Sequence, residues 1–60
     1  MIIHIDYNPN IKYHSDWTEY DEKEHPSLTM KIEKKCIIIS DVKGIVDIIP
    51  LKNIFKCKRL

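Results

Sequence analysis

The chain has 60 residues, of which 43% are hydrophobic and 32% charged, and its net charge is +1. This leaves room for one domain with one core and excludes wholesale disorder, while no segment approaches the roughly 20 apolar residues of a membrane span. A domain of this size lies near the lower limit for folding without disulfides, metal or association, so a homo-oligomer, most simply a dimer, is expected.

Residues 1–7, MIIHIDY, alternate, with Ile3, Ile5 and Tyr7 on one side and Ile2, His4 and Asp6 on the other, which predicts a strand. Asn8-Pro9-Asn10 ends it, because proline lacks an amide donor and asparagine favours turns. Residues 11–26 admit two structures. Tyr13, Trp17 and Tyr20 fall at i, i+4 and i+7 and would line one helical face, which allows at most one short helix at about 14–24. Against it, Asp21, Glu22 and Glu24 would gather negative charge at the helix C-terminus, and Pro26 pushes His25 towards an extended backbone.

From residue 28 to 40 every second position keeps one phase, through Leu28, Met30, Ile32, Lys34, Cys36, Ile38 and Ser40. The opposite phase begins polar, at Thr29, Lys31 and Glu33, and becomes apolar at Ile37 and Ile39. Either one long strand passes into a fully buried environment or two strands meet around Glu33-Lys34-Lys35. Ser40-Asp41-Val42-Lys43-Gly44 then predicts a hairpin, since aspartate starts turns and the only glycine of the chain supplies a positive φ. Residues 45–49 form its return strand, Pro50 loosens or ends the pairing, 51–54 suit a single turn with Leu51 and Ile54 inward, and Phe55-Lys56-Cys57-Lys58 form a last strand. The expected fold is mainly β: a small antiparallel sheet or partly open barrel of four to five strands.

Residues 44–54 resemble a strand of bacterial PH-like domains that ends in an Ile-Pro-Leu turn. The likeness covers eleven residues, and the chain has no room for the C-terminal helix of such a domain, so no family follows from it.

Eight of the fourteen residues in 37–50 are aliphatic, so this ribbon needs cover on both faces. Strand 1 and the aromatics can cover one. The other is expected to carry self-association, through Ile37, Ile39, Val46 and Ile48. The acidic run 16–24 mixes carboxylates with two large aromatics, a composition suited to docking another protein, and Trp17, Tyr20 and Glu22 are the expected contacts.

Charge is unevenly divided, with net −4 over residues 1–30 and +5 over 31–60. The halves could pair with each other in the fold, or the basic end, at Lys52, Lys56, Lys58 and Arg59, with Lys31, Lys34, Lys35 and Lys43 in the same half, could bind nucleic acid, with Tyr7, Tyr13, Trp17 and Phe55 as stacking surfaces, although most of these rings lie in the acidic half. Lysines on an edge strand also protect it from aggregation. His4-x-Asp6 and His14-x-Asp16 each bring an imidazole and a carboxylate to one strand face, but close-spaced cysteine pairs of the C-x-x-C kind are missing. Neither a metal nor another cofactor is expected. With one glycine there is no glycine-rich phosphate loop or oxyanion hole, so an enzyme is not expected either.

Two cysteines, Cys36 and Cys57, lie in apolar patterns and should be free thiols acting as small hydrophobes. The first residues lack the pattern of a secretory signal, which makes the cytoplasm the expected compartment. Twelve isoleucines and nine lysines, with no alanine or glutamine, suit an AT-rich genome such as that of a bacterium or phage. The functional expectation is a small non-enzymatic interaction protein, with nucleic-acid binding as the alternative.

Overall fold

The side chains of residues 2–7 alternate between a wet and a dry environment, and the strand they form is the centre of the first sheet. The computed structural model describes residues 1–11 and 16–60. In chain order the strands are β1 (Ile2–Tyr7), β2 (Trp17–Asp21), β3 (Thr29–Ile32), β4 (Cys36–Asp41), β5 (Gly44–Pro50) and β6 (Ile54–Arg59), with a 3-10 turn, Leu51–Asn53, before β6. The fold is mainly β. The strands make two antiparallel three-stranded sheets, ordered β2-β1-β6 and β3-β4-β5. Among the described residues there are six strands, one more than the upper number expected, in the mainly β antiparallel fold that the sequence predicts.

No helix forms over the described part of 14–24, where β2 runs instead. Strand geometry sends neighbouring side chains to opposite faces, so Trp17, opposite Asp6, points outward while Tyr20, opposite Ile3, points inward. The aromatic stripe of the helical reading does not exist, and Tyr13 lies outside the described residues. The ambiguity at Glu33-Lys34-Lys35 resolves as a tight turn between β3 and β4, closed by Glu33 N–H donating to the Cys36 carbonyl at 2.8 Å.

The predicted hairpin is present. Asp41 Oδ1 accepts from Lys43 N–H at 2.8 Å, and Gly44 takes φ +121°, a region that disfavours any Cβ. His25 Nδ1 lies 2.9 Å from Asp41 Oδ2, and Val42 N–H donates to the Pro26 carbonyl, so the β2–β3 loop clamps this turn. The imidazole of His25, followed by the Lys43 amide, holds the Asp41 carboxyl below its usual value.

The core lies between the sheets. Ile3, Ile5 and Tyr20 from one sheet meet Ile37, Ile39 and Ile49 from the other, and Leu28, just before β3, is buried with them. Side-chain bridges cross the seams where the sheets are not paired. Tyr20 O–H donates to Asp47 Oδ2 at 2.6 Å between β2 and β5, and Cys57 Sγ lies 3.6 Å from Met30 Sδ between β6 and β3.

Two β-bulges change which residues face inward. On β5 the register passes from Ile39↔Asp47 to Ser40↔Ile45, so Val46 is the extra residue. Simple alternation would send Ile45 inward, whereas the bulge turns it outward and packs Val46 on the core. On β6 the register passes from Asp6↔Lys56 to Tyr7↔Ile54, which brings Ile54 against the core and leaves Phe55 72% exposed. Ile54 is inward as expected, but Leu51 is not, because the 3-10 turn holds it at the surface.

Candidate functional site

The two sheets present outer faces of opposite character. Register sets the outer face of β2-β1-β6 as three rows, Trp17–Asp6–Lys56, Glu19–His4–Lys58 and Asp21–Ile2, of which the first two mix rings and charges of both signs. The outer face of β4 and β5 carries Cys36, Ile38 and Ser40 opposite Pro50, Ile48 and Ile45, with no charged side chain among them. Charge flanks these residues at Lys31 on β3, opposite Ile38, and near Ile45, which lines a concavity together with Glu24, Asp41 and Lys43.

On the charged face His4 is the hub. Its Nε2 is 3.0 Å from Asp6 Oδ1, its Nδ1 is 2.8 Å from Glu19 Oε2, and its ring stacks on Trp17 with centroids 5.3 Å apart. A neutral imidazole has one N–H and can donate to only one carboxylate, while the cation donates to both. The hydrogen bond to Glu19, then that to Asp6, therefore raises the His4 pKa above its ordinary value. The two carboxylates approach opposite ring nitrogens and cannot converge on one ion with them. Among the described residues no group of histidine, cysteine, aspartate or glutamate has the arrangement of a metal site. His14-x-Asp16 rests on a residue outside the described set.

The three residues expected to contact another protein are not brought together. Trp17 is 52% exposed on the outer face, whereas Tyr20 is in the core with its hydroxyl spent on Asp47. Burial, and then the Asp47 carboxylate, pushes the Tyr20 pKa well above its ordinary value. Glu22 sits in the turn after β2 and pairs with the N-terminal ammonium at 3.1 Å.

The expected self-association set also divides. Ile37 and Ile39 are buried core residues and Val46 is half-buried against the core, so within one chain they offer no docking surface. Ile48 alone of that set is exposed, and Ile38 and Ile45, which lie outside the set, share its face. The odd or even phase of residues 37–39 could have been chosen by matching Leu28, but the turn at 33–35 resets the phase and removes that guide.

Of the basic set, Lys56 and Lys58 lie on the charged face beside Asp6 and His4, Arg59 is opposite Ile3, and Lys52 is on the 3-10 turn. Lys52 instead meets Lys34 and Lys35 around a cleft of about 480 Å³ that Pro50 and Leu51 complete. Sequence separation hid this grouping. The pairing Cys36↔Pro50 and the Leu51 N–H bond to the Lys35 carbonyl, 2.8 Å, bring the two segments together.

Cys36 and Cys57 are free and half-buried. Burial raises the Cys57 pKa, which disfavours a reactive thiolate. Among the described residues no helix is long and apolar enough to cross a membrane. No family model, curated protein or solved structure matches the chain.

Proposed function

We propose that this protein is a small non-enzymatic interaction module that self-associates through the outer face of the β4–β5 hairpin. One observation carries the reading: the paired β4–β5 residues of that face are uncharged, with Ile45 65% and Ile48 58% exposed, while the opposite outer face is densely charged. A contiguous apolar face on a soluble chain this small marks a contact surface. A second copy fits it because an uncharged face meets its own image without repulsion about a twofold axis.

The magnitude indicates a weak dimer. Covering the exposed part of each isoleucine contributes on the order of 1–2 kcal/mol, or roughly 4–8 kcal/mol for the four in two copies. The cost of association is about 4–15 kcal/mol, which leaves at most about 4 kcal/mol, so an exchanging dimer with a Kd of about 1 mM is expected. Trp17, beside Glu19 on β2, is the contact proposed for a different protein. Ordering of the module, a bacterial or phage accessory protein in this reading, would then depend on its local concentration.

Sedimentation equilibrium tests the proposal. The wild-type chain should pass from monomer to dimer with concentration, and Ile48→Asp should remain monomeric with its fold intact, because residue 48 faces solvent. A wild type that stays monomeric up to about 1 mM, or a dimer indifferent to both Ile48→Asp and Ile45→Asp, refutes it.

A further inference from the structure

We propose that the cleft between the β3–β4 turn and the 3-10 turn, lined by Lys34, Lys35 and Lys52 over Pro50 and Leu51, binds the phosphate backbone of a single-stranded nucleic acid. No acidic residue lines it, and none of its three lysines takes part in an ion pair among the described residues. Three like charges held around one concavity repel each other, and a polyanion that releases its own counterions relieves that repulsion.

The lysines are not carried on loose ends. Leu51 N–H donates to the Lys35 carbonyl at 2.8 Å, so both lysine-bearing segments hold a set spacing. At about 480 Å³ the concavity is of small-ligand size, which suits the phosphates and sugars of a flexible strand and is too small for a duplex. Three positions beyond Lys52, the β6 bulge leaves Phe55 72% exposed, giving a ring on which a base can stack. Stacking on one face and phosphate contacts in a groove are together the physical requirements for binding a single strand.

Fluorescence anisotropy with labelled dT and rU oligonucleotides of about 20 nucleotides provides the test. Each phosphate contact to a single strand contributes about −0.7 to the slope of log K against log salt, so the three lysines should give a slope near −2. A Lys34→Gln, Lys35→Gln, Lys52→Gln variant should lose that slope and at least about tenfold in affinity at low salt. Its melting temperature should be unchanged because all three side chains are exposed.

The control is Lys23→Gln, Lys31→Gln, Lys43→Gln, which removes the same charge from elsewhere on the surface and should keep most of the binding. Phe55→Ala should weaken binding without changing the slope. Absence of binding at low salt, or equal losses in the two triple variants, overturns the site. So does equal competition by poly-glutamate, which would mean attraction to any polyanion, or by ATP at matched phosphate concentration, which would mean a nucleotide site.

Discussion

Tyr20→Phe tests whether the hydrogen bond between Tyr20 and Asp47 holds the β2–β5 seam. The substitution removes an oxygen and keeps the buried ring, so it isolates the bond donated to Asp47 Oδ2 at 2.6 Å. A hydrogen bond to a charged acceptor contributes about 1.5–3 kcal/mol. Asp47 is exposed and regains water when the hydroxyl is lost, which sets the expected loss near 1–1.5 kcal/mol. For a domain of this length that is a fall in Tm of about 4–12 °C, measured by circular dichroism at fixed protein concentration. In a double-mutant cycle Asp47→Ala should couple to Tyr20→Phe by about 1 kcal/mol, because each removes the same contact. A Tm within about 1 °C of wild type, together with additive losses, would refute the seam as a stabilising feature.

Gly44→Ala probes the hairpin. An added Cβ meets nothing within 4 Å, so the cost is that of φ +121° alone, about 1–3 kcal/mol, read as a lower urea midpoint. For His4, the folded-state pKa is raised above 6.5, so the stability from its two carboxylate partners is complete below about 6.5 and is lost as pH rises through the folded value. Thermal unfolding across this range should show that decline in the wild type and a flatter profile in His4→Gln, and an NMR titration placing His4 below 6.5 would contradict it.

Local patterns were enough to read the strand class and the hairpin. The two-residue alternation of 1–7, the turn chemistry of Asp41 and Gly44, and the stop at Pro50 act through neighbours in the chain, and each appears where the sequence places it. The choice at residues 14–24 was not legible, because Trp17 and Tyr20 satisfy a helical spacing as well as a strand one. Pairing of β2 with β1 settled it, and that pairing is a contact between distant segments.

Surface chemistry depended still more on tertiary structure. Residues 37–39 are all isoleucine, so composition could not say which of them faces the core, and packing against Ile3, Ile5 and Tyr20 selected Ile37 and Ile39. Bulges at Val46 and Phe55 then reversed the phase of Ile45 and Ile54, a one-residue change that no local propensity encodes. The lysine cleft has the same origin, since Lys34 and Lys35 meet Lys52 only because β4 pairs with β5. By itself the sequence determined that this chain would be a small β domain with one glycine-closed hairpin. The third dimension decided which isoleucines are core, which are surface, and which charges stand together, because burial and proximity are properties of pairs of segments and alternation is a property of one.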